Sequence, residues 1–270
     1  MESKSSFFVK LGYVWIVLPI IIFFIGYCNL YTSIIGTTLI LVASYFLFKS
    51  APKLWIPQNK KEWLLMVFVG IISFAWVYSS GIGAFVYQNS DHMCRNPIFE
   101  LMVGQNWPVV DLNRNAILTY YTGFWFVPAV VGKIFNSINI GYIAQVIWAS
   151  LGVFIFIYYF LASLIKKNLT AVLIVILFSG LDIVGKLIFD PEFIKNYDIT
   201  FHLEWWSFYY QFSSLTSQLY WVFNQAIPAW IITMLLYNEK NNKNIVIIYS
   251  CISIYDLDKK EAYTFVYAYI

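Results

Sequence analysis

Apolar residues in this chain come in blocks about twenty residues long, separated by short polar joints. A hydrocarbon core about 30 Å thick takes roughly 20 residues of α-helix. Backbone amides inside lipid must find partners within their own segment, so blocks of this kind form helices. Spans are expected near 11–28, 33–49, 63–80, 117–135, 140–165, 169–189 and 218–237, with a partial span at 245–255. Composition agrees: 60% of the 270 residues are hydrophobic and 11% charged, too little charge to cover a water-soluble domain of this size. The expected fold is all-α, a polytopic transmembrane bundle of about seven to eight membrane segments with two outward-facing polar loops. Residues 1–270 form a single transmembrane domain in this reading.

The net charge of +3 is spread over short loops, which excludes a nucleic-acid surface. Cys28, Cys94 and Cys251 show no zinc or disulfide spacing. The N-terminal segment has a basic start but no small-residue cleavage site, so it reads as an uncleaved first span. The end, YDLDKKEAYTFVYAYI, follows an unfinished apolar run and reads as a fragment or a frameshifted product of a longer protein.

Basic loop residues orient the chain. Lys4 and Lys10 precede the first span, and Lys49, Lys53, Lys60 and Lys61 lie between the second and third. Both segments belong on the cytoplasmic side by the positive-inside tendency, which places 81–116 outside. If 117–138 crosses, Lys166, Lys167, Lys240 and Lys243 fall outside and the rule contradicts itself. If that segment dips in and returns, or lies along the surface, every conflict disappears. Pro128 and Gly132 make it the weakest helix, and this second topology is favoured.

Three polar clusters interrupt the apolar pattern. YQNSDHMCRN, residues 87–96, carries Asp91, His92 and Arg95. An acid beside a histidine at the membrane surface can serve as a general base or bind a divalent cation carrying phosphate; solvated loop charge is the plainer alternative. Asp182 and Lys186 lie four apart in an apolar run, on one helical face, so they can pair; a charge at that depth is a functional candidate, and a structural ion pair or a snorkelling Lys186 is the plainer alternative. Asp198, His202, Glu204, Trp205 and Trp206 form the third cluster. Paired tryptophans beside acids suit a sugar site and equally a membrane interface. A mixed oxygen–nitrogen metal site with Asp91 and His92 is the other possibility. Further on, Gln211 to Gln218, Asn224 and Gln225 run polar into a span that contains Pro228. Amides within a span need a wet cavity or neighbouring helices, so a polar-lined cavity opening outward is expected.

YQNSDHMCRNPIFELMVGQNWPVV, LTYYTGFWFVPAVVGKIF and EWWSFYYQFSSLTSQLYWVFNQAIPAW together resemble a group of bacterial polytopic membrane proteins. Their layout is similar to that of GT-C superfamily glycosyltransferases, and the likeness covers roughly residues 80–245. It implies transfer of a sugar from a lipid-phosphate donor, a polyprenyl-phosphate sugar, to a cell-envelope acceptor in the bacterial inner membrane. Asp91 would be the loop acid, acting as base or as ligand to a divalent cation such as Mg or Mn. His92 and Arg95 would hold donor phosphate, and Asp182, Asp198 or Glu204 would be a second acid. Lys186, His202, Trp205, Trp206, Asn224 and Gln225 complete the candidate substrate-binding set. This sequence departs from the superfamily pattern in having His, not a second acid, after Asp91, and its large loop follows the third span. A transporter or flippase with Asp182 and Lys186 on a pathway is the alternative, and a scaffold without chemistry is a third.

Overall fold

The computed structural model describes residues 4–111, 116–118, 120–178, 182–195, 203–207 and 213–239. Asp198, His202, Gln211 and the stretch 245–255 lie outside the described residues. The order begins β1 (Lys4–Ser5), α1 (Phe7–Tyr27), α2 (Leu30–Lys49), β2 (Leu54–Trp55), α3 (Lys60–Ser79) and α4 (His92–Gly104). There follow β3 (Val110–Asp111), β4 (Ala116–Ile117) and a 3₁₀ turn at Thr122–Trp125 leading into α5 (Phe126–Ile134). Then come α6 (Ile138–Ser163), α7 (Leu169–Leu177), α8 (Asp182–Phe189), a 3₁₀ turn at Leu203–Ser207 and α9 (Leu215–Glu239).

The helix starts are written in the polar joints. Asn29, Asn59 and Asn168 each accept a backbone N–H at the first turn of α2, α3 and α7, at 2.9–3.0 Å. Glu62 closes the α3 cap by accepting from Gln58 N at 2.8 Å and from the Asn59 amide at 2.9 Å. Among the described residues, six segments are long and apolar enough to cross a membrane: 7–27, 30–49, 60–79, 138–163, 169–189 and 215–239. The fold is an all-α polytopic bundle, with β structure limited to two two-stranded ladders among the described residues.

Segment 117–135 differs from the expected span. It opens on strand residues, turns through 3₁₀ at Thr122–Trp125 and gives α5 only nine residues. Thirteen helical residues reach about 20 Å, short of a hydrocarbon core of about 30 Å. The chain then reverses at Asn136, whose φ is +46°, and α5 lies against α6 with a Cβ on Gly132 reaching 3.2 Å from Gly141 Cα. This segment therefore leaves and returns at one end of the bundle.

At the centre stands α6, with Val153, Ile155, Ile157, Tyr158, Tyr159 and Leu161 fully buried. Trp15 of α1 stacks on Trp148 of α6, centroids 4.9 Å apart and planes 9° apart, and donates its indole N–H to the Trp148 carbonyl at 3.1 Å. Gly152 permits that approach, since a Cβ there would sit 2.6 Å from Ile227 Cγ2 and 2.9 Å from Trp15. Small residues where helices touch are the usual means of bringing spans together in lipid. By contrast α2 presents Leu30, Tyr31, Ile34, Ile35 and Leu39 outward, as a lipid-facing helix does.

The contacts sort the loops between two ends. At one end β1 pairs with β2, so Lys4 faces Trp55. The Tyr158 hydroxyl donates to the Trp55 carbonyl at 2.6 Å and the Lys167 ammonium lies 5.7 Å over the Trp55 ring. Tyr13 donates to Glu239, which brings the last turn of α9 toward this end. At the other end Asn89 donates to the Tyr220 carbonyl at 2.7 Å and the Tyr220 hydroxyl donates to Ser79 at 2.8 Å. Tyr27, at the end of α1, packs on Trp107 at 5.6 Å. Lys4, Lys53 and Lys167 thus share one end, while the 80–111 loop and the start of α9 share the opposite one.

Candidate functional site

The first cluster is built on α4, which begins beside Asp91. Four residues on, Arg95 Nη2 donates to Asp91 Oδ2 at 2.8 Å; its side chain is 6% exposed, that of Asp91 39%. The guanidinium lies 5.7 Å over the Phe223 ring of α9, and Arg95 Nε and Nη1 are buried without partners among the described residues. His92 stacks on the same ring from 5.6 Å, with planes 17° apart. Gln88 clamps it: its amide nitrogen sits 3.1 Å from His92 Nδ1 and donates to the Gly81 carbonyl at 2.7 Å, while its oxygen accepts from Asn96 at 2.7 Å. Gly81, at φ +88°, provides the turn that aims this carbonyl inward.

Burial pushes His92 down to about 4, and the Arg95 charge adds to the shift; the Ser80 and Tyr220 carbonyls and Asp91 oppose it. His92 is therefore neutral near pH 7. A free histidine titrates near 6.5, so between that value and about 4 the unfolded chain binds the extra proton. Stability contributed by neutral His92 is complete above pH 6.5 and is lost as pH falls toward 4. His92→Gln should flatten this limb of a Tm-against-pH profile between pH 7 and 4; an unchanged slope would contradict the burial of His92.

The second cluster joins α8 to the Leu203–Ser207 turn. Asp182, the first residue of α8, is buried and accepts from Trp206 Nε1 at 3.1 Å; its Oδ2 has no partner among the described residues. Trp206 packs over Gly185, where a side chain would collide with it. The possible Asp182–Lys186 pair does not form: Trp206 holds Asp182, while Lys186 bonds Asp190 at 3.2 Å and lies over the Phe189 and Phe193 rings. Glu204 is buried and accepts from Ser214 N at 2.9 Å. Trp205 is half exposed and packs on Trp221 at 6.0 Å.

Both clusters dock on the same stretch of α9. Glu204 is held at Ser214 and the Asp91 loop at Tyr220 and Phe223. No described bond joins an acid of one to an acid of the other. Among the described residues, no three His, Cys, Asp or Glu side chains converge on a metal position. Asp91 already faces a guanidinium, which opposes a cation there, so the described donors do not fit a divalent ion.

A third feature lies on the other side of Phe223. A cavity of about 720 Å³ runs between α1, the 118–126 segment and α9. Its walls are apolar, with Pro19, Ile20, Phe23, Phe126 and Ile232 among them; Thr122, Gln218, Asn224, Gln225 and Thr233 supply polar groups. Asn224 and Gln225 meet it because α9 is broken there. Val222 is non-helical (φ −139°, ψ 35°), and Pro228 has no N–H to return to the Asn224 carbonyl. Trp230 Nε1 donates to Gln218 Oε1 at 2.8 Å. Twelve residues of straight helix would separate them by about 18 Å, so this bond closes only across the bend. Asn224 donates to the Tyr121 carbonyl at 3.3 Å while its Oδ1 is buried and unpartnered among the described residues. Asp91, His92 and Arg95 do not line the cavity; the Phe223, Phe124 and Trp125 rings, packed edge to face, stand between.

Gln88 and Phe223 are the site residues that sequence reasoning missed. Gln88 lies inside the polar stretch and differs in no way from its neighbours there, and Phe223 sits in an apolar span with no distinguishing signal. Six spanning-length apolar helices and lipid-exposed apolar faces define a multi-pass helical membrane protein. No family model, curated protein or solved structure matches the chain.

Proposed function

We propose that the chain is the working part of a membrane glycosyltransferase of GT-C-like type, using a polyprenyl-phosphate sugar at the outer face of a bacterial inner membrane. The observation that carries this reading is the mostly apolar cavity of about 720 Å³ with amide and hydroxyl groups at the α9 break. Such a slot suits an isoprenoid chain with a polar head better than a free sugar. In this reading Asp91 takes the acceptor hydroxyl proton and the acceptor oxygen attacks the anomeric carbon. The bond from that carbon to the phosphate oxygen breaks, and the lipid phosphate leaves with the electron pair. Asn224 and Gln225 bind the head, and Arg95 receives phosphate once the Phe223 ring swings aside. Trp205, on the exposed rim, offers a face to sugar, while buried Asp182 and Glu204 shape the rim.

Polyprenyl phosphate should raise Tm by roughly 5 °C at a hundredfold excess over Kd. Ala229→Phe, which narrows the cavity, should reduce that shift. Polyprenol without phosphate should do less, and absence of any shift with the phosphate would contradict the reading. The break within α9 favours one second reading, a lipid flippase, since broken spans line transport sites. Movement of a fluorescent polyprenyl-phosphate probe across liposomes without sugar transfer would select it.

A further inference from the structure

We propose a second binding site, for the phosphate headgroup of an anionic phospholipid, at the end of the bundle opposite the candidate site. A pocket of about 290 Å³ is lined by Lys4, Lys53 and Lys167, with Leu54, Trp55, Ala162, Leu164 and Ile165. The three lysines come from three separate segments: β1, the joint before β2, and the turn after α6. Their convergence is built. The β1–β2 ladder sets Lys4 opposite Trp55, and Tyr158 fixes the Trp55 carbonyl from inside the bundle at 2.6 Å. The Lys167 ammonium is held 5.7 Å over the buried Trp55 ring.

No carboxylate lines this pocket among the described residues, and Lys4 and Lys53 form no described ion pair. Lys4 and Lys53 on one concavity repel one another unless an anion sits between them. The rim selects the kind of anion. Ile165 is 94% exposed, and Leu164 lies beside it at the mouth, where α6 ends and α7 begins. A ligand with a charged head and an apolar tail meets both surfaces, whereas free phosphate meets only the lysines. Basic pockets between spans on the cytoplasmic side are established binding places for anionic headgroups. This end is the cytoplasmic one by the positive-inside tendency. The site is independent of the glycosyl-transfer reading.

The test uses the full chain in neutral detergent, with native mass spectrometry and thermal melting. The probes are phosphatidylglycerol, phosphatidylcholine and inorganic phosphate. Phosphatidylglycerol should bind and raise Tm, phosphatidylcholine should not, and inorganic phosphate at equal concentration should have little effect. Each lysine near an anionic headgroup is worth roughly fivefold in affinity, so Lys4→Gln, Lys53→Gln and Lys167→Gln together should weaken phosphatidylglycerol at least tenfold. Lys49→Gln, Lys60→Gln and Lys61→Gln remove the same charge at the same end outside the pocket and should weaken it less than threefold. Equal losses in the two triple variants would mean general surface attraction and overturn the site. Inorganic phosphate protecting as well as the lipid, with the same lysine dependence, would overturn the lipid assignment.

Discussion

On the glycosyl-transfer proposal, Asp91→Asn should lower sugar transfer by roughly 10²–10⁴-fold per folded molecule. The carboxylate is half exposed and meets Arg95 at 2.8 Å. Asparagine keeps the shape and one acceptor, so the helical (i, i+4) contact survives in weakened form. Arg95 is buried, so removing the opposing charge leaves its guanidinium short of a counter-charge and costs stability as well as activity. The chemical role is therefore read as transfer per folded molecule. Measured on membranes of cells expressing the variant, the surface glycan should disappear. Unchanged glycan would remove Asp91 from the chemistry, and loss of the protein itself would make the pair structural.

Gly152→Val should cost about 3 kcal/mol of stability, the upper part of the usual range for overpacking. A Cβ at this position meets Ile227 at 2.6 Å and Trp15 at 2.9 Å. Neither neighbour can withdraw. Ile227 is fully buried one residue before Pro228, and Trp15 is held by its stack and its bond to Trp148. The variant must pry α1 and α9 from α6, which also opens the cavity wall they share. Gly70 of α3 is the internal control, with open space where its Cβ would go. Gly70→Val should fall within about 0.5 kcal/mol of the parent. Denaturation midpoints in mixed micelles read both; equal losses would contradict the α1–α6–α9 packing.

The membrane character was legible because hydrophobic block length is a property of the chain alone. The 117–138 segment was legible only in part. Pro128, Gly132 and Lys133 weakened it as a span, but its 3₁₀ turn and its packing on α6 depend on partners distant in sequence. The sorting of lysines to one end could be anticipated from charge, since a misplaced lysine loop is costly. Side-chain pairing was the hard part. Asp182 and Lys186 have the right helical spacing, and nothing local says that Trp206 and Asp190 will compete for them. Asn224 and Gln225 were visible as polar groups in a span beside Pro228, and they do line the cavity. That Phe223 would wall Arg95 off from that cavity depends on how α4 and α9 meet, which no single-segment pattern encodes.

The account rests on the Asp91 and Glu204 segments emerging together from one face of the membrane, opposite Lys4, Lys53 and Lys167. Cys94 of α4 is exposed and serves as a native reporter for the first segment. With Cys28 and Cys251 replaced by serine, a membrane-impermeant maleimide should label Cys94 in intact cells. In a chain that also lacks Cys94, Leu203→Cys should label equally well, and Lys53→Cys only after permeabilisation. Labelling of positions 94 and 203 from opposite sides would contradict the account.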